Sequence, residues 1–374
     1  MKKLFTINCG STSTKVAYFE DDVMLHKESL DVPLADLEHM PKVLDQFEYR
    51  KQQVDAFLTT HRIEVADLDM VVARAGAIPH VPTDGAYEVN DLMVVTLRNA
   101  PAAQHASSLS CLIAREITQG YNLPVIVYDP TAVDCVDPIA KVTGIPELVN
   151  MPVFHLLNTK MAGIRYAEQA GSRYDELDLV IAHLGGGITL GFHEHGRVAD
   201  WIYDDEGPMS PQRAGRIPTR YLTDLCYSGE RSHQEMRMYL AGRSGMAAHL
   251  GTQDVREVEA MIAAGDEHAA LVFRAMAYGV AKGIGELSVI RGGRVDQIVL
   301  TGGIAHSRLF TGWVTELVQF IAPVTVLPGE SEMEALAAGG LRVLAGEEEV
   351  HPYTVLPPGY ASIEELRERP SFLA

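Results

Sequence analysis

Three turns rich in glycine or hydroxyl residues follow strand-like segments, and their residue types suit the binding of an anion. The first turn spans residues 8–15 and reads Asn-Cys-Gly-Ser-Thr-Ser-Thr-Lys. A tight hairpin of this composition presents backbone N–H groups, hydroxyls and one ammonium group to a phosphate. It is not a Walker loop, which ends in Gly-Lys-Ser/Thr at the start of a helix. On these residues alone, a phosphate site and an ordinary Ser/Thr-rich turn both stay open.

The other two turns share consecutive glycines that close an apolar segment: Gly185, Gly186 and Gly187 in one, Gly302 and Gly303 in the other. Consecutive glycines weaken a strand, so they indicate that a ligand or another backbone approaches closely. For each turn alone, a sharp bend between strands is the simpler interpretation. Three such turns in one chain favour a nucleotide cleft between two related domains.

The composition limits the possible partners. The chain has 374 residues, enough for two domains, and a formal net charge of -19. This charge repels nucleic acid and anionic membranes, so we expect neither as a partner. The four cysteines show no metal-finger spacing, which predicts reduced thiols. We find no signal peptide and no apolar run of membrane-spanning length, and we predict a cytoplasmic protein.

Strand-like and helix-like segments alternate, which predicts an α/β protein. The predicted strands are 4–8, 16–20, 69–73, 125–129, 179–183, 188–193 and 297–300. The predicted helices are 41–60, 105–118, a helical block 254–291, and 333–344 with Ser331 as its cap. A strand, a glycine-rich turn and a second strand open both halves of the chain, which indicates a weak internal duplication. We expect the tail beyond residue 352 to pack loosely or on a neighbouring chain.

Residues 7–15 resemble the opening signature of the acetate and butyrate kinase family, within the actin-like ATPase superfamily. Residues 300–305 (Leu-Thr-Gly-Gly-Ile-Ala) and 328–337 (Pro-Gly-Glu-Ser-Glu-Met-Glu-Ala-Leu-Ala) are similar to late motifs of that family, and closer to its butyrate kinases. The resemblance covers essentially the whole chain. One departure is Cys9, where butyrate kinases usually carry proline.

The resemblance implies two actin-like (ribonuclease H-like) domains with a nucleotide cleft between them. It places one domain at 1–152 plus 332–374 and the other at 153–331. It further implies reversible transfer of the ATP γ-phosphoryl group to a short-chain fatty acid, most of all butyrate, giving an acyl phosphate and ADP with Mg²⁺. The expected assembly is a homo-oligomer of at least two chains. Acetate, propionate or branched-chain fatty acids are alternative substrates, and a non-catalytic actin-like ATP-binding protein is the alternative class.

The resemblance also implies roles for five catalytic positions: Arg74, His105, Asp129, His155 and Arg213. Arg74 and Arg213 would hold the carboxylate or the phosphoryl group, and His155 would steady that group during transfer. Asp129 would bind magnesium through water, and it ends a strand, where ligands gather in α/β sheets. Without the resemblance, Arg74 reads as a salt-bridging arginine at a strand end. His105 likewise reads as a helix cap or a surface residue.

The nucleotide-side residues implied in the same way are Asn8, Ser11, Ser13 and Lys15 in the hairpin, the three glycines 185–187, Gly302, Gly303, Asp254 and Arg256. Capping of a helix start by Asp254 is an alternative that binding does not exclude. His183 is either a neighbour of the glycine turn or a core histidine. Glu332 matches a carboxylate near the metal and is preferred over Glu330 and Glu334. Arg216 and Arg220 are expected to take no part.

Overall fold

The computed structural model describes residues 1–40, 42–75, 78–100 and 105–370. The chain divides into two compact units: unit 1 comprises Met1–Asp134 and the segment from Ser331 onward, and unit 2 comprises Cys135–Glu330. The domain boundary at 152/153 stays a prediction, and the segment that opens unit 2 bonds to a strand of the same unit. Asp137 N donates to Ala199 O at 2.9 Å, and Arg197 Nη1 donates to Cys135 O at 3.2 Å.

Unit 1 is built on a seven-stranded sheet. Its strands are β1 (Lys3–Cys9), β2 (Ser13–Glu20), β3 (Val23–Asp31), β4 (Met70–Ala73), β5 (Ala86–Glu88), β6 (Val125–Tyr128) and β12 (Val350–His351), in the order β12-β5-β6-β4-β1-β2-β3. β1, β4 and β6 run parallel, whereas β1, β2 and β3 form an antiparallel meander. The parallel strands therefore end at one edge, where α/β proteins commonly place a site.

The helices of unit 1 are α1 (Leu34–Glu38), α2 (Phe47–Thr60), α3 (Asp91–Asn99), α4 (Ser108–Ile117), α12 (Glu332–Leu344) and α13 (Ile363–Glu368). α4 and α12 both pack on β1, β4 and β6. Gly340 lets α12 approach closely, because a Cβ there would lie only 2.7 Å from Leu4 and 2.8 Å from Val72. The first turn of α12 is thereby held beside the carboxyl-terminal half of the chain's first strand.

Unit 2 is built on a five-stranded sheet. Its strands are β7 (Asp178–Leu184), β8 (Ile188–Glu194), β9 (Arg197–Ile202), β10 (Gln297–Gly302) and β11 (Val324–Pro328), in the order β11-β10-β7-β8-β9. β7 reads Leu-Val-Ile-Ala and is buried on both faces, as expected for a strand with a parallel neighbour. The sheet repeats the order and directions of β6-β4-β1-β2-β3 in unit 1, which confirms the internal duplication as topology.

The helices of unit 2 are α5 (Leu156–Ala170), α6 (Thr219–Cys226), α7 (His233–Gly242), α8 (Gly245–Leu250), α9 (Val255–Ala263), α10 (Glu267–Leu287) and α11 (Arg308–Val318). The helical block 254–291 is thus two helices rather than one. Gly265 has φ +91°, which breaks the first helix, and the Asp266 side chain accepts from Ala269 N to begin the second. No helix within the described ranges is long and apolar enough to cross a membrane.

The other predicted elements differ from the structure mainly at their ends. The predicted helix 41–60 begins at Phe47 after a 3₁₀ turn, Val43–Gln46, and Pro41 lies outside the described residues. The predicted helix 105–118 is Ser108–Ile117. Ser331 does precede α12, but the cap uses its backbone: Ser331 O accepts from Ala335 N at 2.7 Å, and its side chain makes no capping hydrogen bond.

The C-terminal tail packs on its own unit, contrary to the expectation of a loose tail or one on a neighbouring chain. β12 pairs in parallel with β5, and α13 packs on α3. Two asparagine side chains fasten it, since Asn90 Nδ2 donates to Tyr353 O at 2.8 Å and Asn99 Nδ2 donates to Leu366 O at 2.9 Å. Tyr353 is only 1% exposed, so the tail contributes to the core of unit 1.

Candidate active site

The hydroxyl-rich hairpin of unit 1 joins β1 to β2. Gly10 N donates to Ser13 O at 2.8 Å and closes the turn. Asn8 and Lys15 are direct partners across the two strands, so their side chains lie on the same face of the sheet. Asn8 Nδ2 donates to Glu332 Oε2 at 2.6 Å, and Lys15 Nζ lies 3.8 Å from the same oxygen. The hairpin and the start of α12 thus form one polar cluster, although they are 324 residues apart.

Arg74 and Asp129 follow the neighbouring parallel strands β4 and β6, and so they meet at the same edge of the sheet. Arg74 Nη1 donates to Asp129 O at 2.7 Å, and the two residues are 5% and 1% exposed. Burial lowers the pKa of the Arg74 guanidinium, while the carboxylates of Glu332 and Asp129 raise it. Arg74 therefore lies in the field of both carboxylates, and five predicted site residues form one cluster: Asn8, Lys15, Arg74, Asp129 and Glu332.

The backbone of Asp129 is strained. Its φ is +41°, a left-handed conformation that non-glycine residues rarely adopt. Two hydrogen bonds hold it there, one from Asp129 N to Gly85 O at 3.0 Å and one from Gly85 N to Asp129 Oδ1 at 2.8 Å. The surroundings thus fix the direction of this carboxylate, as a site residue requires.

Two carboxylates of unit 1, those of Asp129 and Glu332, are the groups that could hold a magnesium ion. Within the described part of the chain, no group of three His, Cys, Asp or Glu side chains is placed to hold an ion. Magnesium usually keeps several waters and takes one or two carboxylates together with phosphate oxygens. Asp129 and Glu332 fit that requirement, because both act on the Arg74 guanidinium and lie at one edge of the sheet.

His105 lies before α4 and is exposed. Its Nδ1 lies 2.8 Å from Ser107 Oγ and accepts from Ser107 N at 3.2 Å. These are contacts of a helix-start turn, which is the alternative that the sequence left open for this residue. A catalytic role of His105 stays a prediction.

In unit 2, two histidines lie at the end of the sheet where the glycine turn 185–187 joins β7 to β8. His183 is 2% exposed, and its ring stacks on that of His155 with 4.5 Å between centroids. His155 Nδ1 lies 3.1 Å from Thr189 Oγ1, and His183 Nε2 lies 3.8 Å from Glu330 Oε1. His183 is therefore both a core histidine and a neighbour of the glycine turn.

Arg213 lies on a loop that is fastened to the same turn. Arg213 N donates to Ser210 Oγ at 3.1 Å, and Ser210 Oγ donates to Gly186 O at 2.6 Å. Arg213 Nε donates to Asp204 Oδ2 at 3.1 Å. The other oxygen, Oδ1, has no hydrogen-bond partner among the described residues, although Asp204 is only 4% exposed. Burial raises the pKa of the Asp204 carboxyl and Arg213 lowers it.

Asp204 is a further candidate site residue, which the sequence did not indicate. It begins the acidic run Asp204-Asp205-Glu206, which resembles an ordinary solvated surface. Only the structure shows its place: a Cβ on Gly187 would collide with Asp204 Oδ2, so this glycine makes room for the carboxylate. Arg216 and Arg220 are held elsewhere, by Glu286 and by the Tyr221 hydroxyl.

Asp254 and Arg256 lie at the start of α9, where capping and a possible ligand contact coexist. The Asp254 side chain accepts from Arg256 N at 2.9 Å and from Arg256 Nε at 3.0 Å. These bonds, first of all those from the Arg256 side chain, hold the pKa of Asp254 at about 2. Both residues line an open cavity of about 700 Å³, a size that suits a nucleoside-sized ligand.

The remaining walls of this cavity come from the glycine turns and the loops beside them: Gly185, Gly186, Pro211, Gln212, Gln253, Val255, Glu259, Gly303, Ile304, His306, Ser307 and Glu330. Gly302 has φ +94°, and a Cβ there would lie 2.5 Å from Leu184 O. It therefore allows the end of β10 to pass close to the end of β7, next to the cavity-lining Gly303. The structure thus brings together the predicted residues Gly185, Gly186, Asp254, Arg256 and Gly303.

The two related sheets define an α/β protein with the fold of the actin-like ATPases. Residues 148–318 match the model of the acetokinase family. The acetate kinase of Porphyromonas gingivalis superposes with a TM-score of 0.71 at 19% identity, covering 92% of this chain and 100% of that one. The propionate kinase of Francisella tularensis gives 0.70 at 17%, covering 91% and 99%, and the acetate kinase of Entamoeba histolytica gives 0.70 at 15%, covering 90% and 98%. At sequence identities this low, the structural similarity shows a shared fold and does not show a shared activity.

Proposed function

We propose that the protein transfers the γ-phosphoryl group of ATP reversibly to the carboxylate of a short-chain fatty acid, giving an acyl phosphate and ADP. The observation that supports this proposal is the buried Arg74, which lies near the carboxylates of Asp129 and Glu332. Asn8 and Lys15 contact the Glu332 carboxylate. The match of residues 148–318 to the acetokinase family supports it.

The substrate itself removes the need for a general base. A fatty-acid carboxyl group titrates near 4, so it is already an anion at pH 7. The main obstacle is then repulsion between this anion and the triphosphate. Catalysis consists of holding the two reactants in line and neutralising their charge. In this scheme Arg74 holds the carboxylate, where its low exposure makes the charge-assisted bond strong.

Arg213 stabilises the oxygens of the phosphoryl group during transfer. Asp204 accepts from Nε of Arg213 and fixes the plane of its guanidinium. The terminal nitrogens Nη1 and Nη2 of Arg213 have no hydrogen-bond partner among the described residues. They can therefore bind two phosphoryl oxygens at once. His155, whose ring is oriented by His183 and Thr189, is the predicted donor to the same group.

Magnesium, when bound, neutralises charge on the phosphate oxygens, and Asp129 and Glu332 are the residues that would hold it through water. The hairpin residues Asn8, Ser11, Ser13 and Lys15 would face the phosphates. The nucleoside would lie in the cavity lined by Asp254, Arg256 and the glycine turns. We further propose that the protein works in the cytoplasm, which suits its four free cysteines, and as a homo-oligomer.

Butyrate is the proposed substrate because residues 300–305 and 328–337 are most similar to butyrate kinases. The named structural neighbours are acetate and propionate kinases, which favours acetate or propionate as the alternative. One methylene group in an apolar pocket changes discrimination by about 1–3 kcal/mol. We therefore expect turnover of neighbouring acids, branched ones included, at lower kcat/KM.

A hydroxamate assay tests the proposal directly, because hydroxylamine captures an acyl phosphate as it forms. The purified protein is given Mg-ATP and acids from acetate to valerate, isobutyrate included. Highest kcat/KM with butyrate supports both the reaction and the substrate. Highest kcat/KM with acetate or propionate keeps the reaction and changes the substrate. If the folded protein binds ATP but forms no acyl phosphate from any acid, the proposed reaction is wrong. The alternative of a non-catalytic ATP-binding protein then remains.

A further inference from the structure

Arg50, on α2, is one of the largest fully buried side chains of the molecule and is 0% exposed. Arginine is almost never fully buried unless a partner holds its charge. The proposed reaction assigns no role to this residue, and α2 carries none of the sequence motifs. Its burial therefore calls for another explanation.

The Arg50 guanidinium is bound to both sides of the tip of the hydroxyl-rich hairpin. Nη1 donates to Ser13 O at 2.9 Å and to Thr14 Oγ1 at 3.0 Å, and Nη2 donates to Ser11 O at 3.1 Å. Nε and Nη2 also donate to Gln46 Oε1 at 3.1 and 3.0 Å. These bonds use all of the roughly five N–H donors of a guanidinium, whose planar fork lysine cannot reproduce.

These contacts set the direction of the hairpin backbone. A trans peptide points its carbonyl and the following N–H to opposite sides. Because the carbonyl of Ser11 faces Arg50, the N–H of Thr12 points away from the protein core. Ser13 O is doubly held, by Arg50 and by Gly10 N. The guanidinium thus fixes the tip from behind while donors face outward, where Ser11 is exposed.

The charge of Arg50 is not neutralised by an acid. No carboxylate lies within ion-pair distance of it among the described residues, and its partners are two carbonyls, a hydroxyl and an amide. A guanidinium stays protonated near pH 7 even when buried, so its positive charge acts as an electrostatic field behind the tip. That field favours an anion on the outer side, where Lys15 adds a second positive charge.

We propose that Arg50 is the positioning residue of this hairpin: it holds the tip in the conformation that binds the phosphates of the nucleotide and supplies a buried positive charge behind it. The proposal rests on the proposed function, since it assigns the phosphates to the hairpin. Arg50 touches no reactant and acts through residues 11–14.

The test compares the binding of ADP and of adenosine by calorimetry, since only ADP carries phosphates. In Arg50→Met we expect the affinity for ADP to fall about tenfold or more and that for adenosine to change less than about twofold. Arg50→Lys keeps the charge without the fork and should lie between the wild type and Arg50→Met. Gln46→Met, which removes two of the five bonds, is a milder variant should Arg50→Met fail to fold.

Val54→Ala is the matched control, because Val54 is buried on the same helix and touches none of the hairpin bonds. It should lower thermal stability and leave the ratio of the two affinities unchanged. An unchanged ratio in both Arg50→Lys and Gln46→Met, or a wild type that binds ADP no more tightly than adenosine, overturns the inference. If the Arg50 variants lose affinity for ADP but the wild type forms no acyl phosphate, the result contradicts only the proposed reaction.

Discussion

Arg74 and Arg213 differ in what holds them and in how much water reaches them. Arg74 is 5% exposed and is held by the backbone carbonyl of Asp129. The Arg213 side chain is 29% exposed and is held by the carboxylate of Asp204. A carbonyl leaves Arg74 without a direct ion pair, although the carboxylates of Glu332 and Asp129 act on it from a distance, whereas a directly bonded carboxylate fixes Arg213 and offsets part of its charge. The two arginines therefore suit different tasks, binding for Arg74 and orientation-dependent stabilisation for Arg213.

Replacing Arg213 by alanine should lower kcat by about a thousandfold, by analogy with arginines that stabilise transferring phosphoryl groups. The hydroxamate assay with saturating butyrate and Mg-ATP measures this. Arg216→Ala is the matched control, since Arg216 lies on the same loop and pairs with Glu286 at the surface. Near-full activity in Arg213→Ala, or an equal loss in both variants, would show that Arg213 has no specific role.

Asp204→Asn keeps the size of the side chain and removes its charge. Because the orientation of Arg213 then weakens, we expect kcat to fall about tenfold to a hundredfold with a smaller change in the KM for ATP. The double variant Asp204→Asn/Arg213→Ala should be no slower than Arg213→Ala alone, since the carboxylate acts through the arginine. Additive losses would mean that Asp204 works independently of Arg213. Glu286→Gln, which unpairs Arg216 instead, serves as the control.

At the scale of elements, four side chains tie the edge of the unit 2 sheet together. Glu194 ends β8 and Arg197 begins β9, and their Oε2 and Nη2 atoms are 2.8 Å apart. Arg291, after α10, also pairs with Glu194, and its Nη2 lies 2.7 Å from Asp137 Oδ2. Asp137 in turn pairs with Arg197 at 2.9 Å, so the ring is closed. A closed ring fixes the segment that opens unit 2 to the sheet.

This ring predicts a pH-dependent stability. The bonds from Arg291 and Arg197 lower the pKa of Glu194 from 4.5 to about 2. A lowered folded-state pKa contributes stability above the unfolded value, and that contribution is lost as the pH falls from about 4.5 through 2. Allowing for solvent screening, we expect Glu194→Gln to cost about 1–2 kcal/mol in the free energy of unfolding at pH 7. Urea titrations at pH 7 and pH 3 measure it.

The difference between wild type and Glu194→Gln should shrink at pH 3, because Glu194 is then protonated in the unfolded state while the folded state still holds it ionised, so the low folded-state pKa contributes less stability. A difference that stays constant with pH would indicate lost packing rather than lost charge. Glu230→Gln is a suitable comparison, since Glu230 pairs with Arg231 at the surface with a side chain that is 67% exposed. Its effect should be small at both pH values.

At the scale of the whole molecule, the repeated strand order explains why three similar turns occur in one chain. The hairpin between β1 and β2 and the glycine turn between β7 and β8 occupy equivalent places in the two sheets. Each turn closes an antiparallel pair of strands and lies beside the carboxyl ends of the neighbouring parallel strands. Ligands commonly bind at that edge of an α/β sheet. The turn after β10 corresponds to Arg74 after β4, so the duplicated topology presents site residues at the same sheet edges in each unit.

Many elements could be predicted because local sequence determines them. Apolar runs such as 179–183 predict buried strands, and glycine turns mark their ends. The helices α6, α7 and α8 were not predicted: they are short and lie among polar residues, where an apolar face spans only two or three turns. Gly265 and Asp266 carried the signal for a break within 254–291 that the interpretation as one block overlooked.

The sequence by itself determined the α/β class, the positions of the glycine- and hydroxyl-rich turns and the residues that match the family motifs. Tertiary structure decided which side chains meet. Of three alternating acids, Glu332 reaches Asn8, whereas Glu330 lies by His183 and Glu334 by Lys27. The sequence did not indicate that Arg50 would be buried. Backbone propensity acts over a few residues, whereas these partners come together only when distant strands and helices pack.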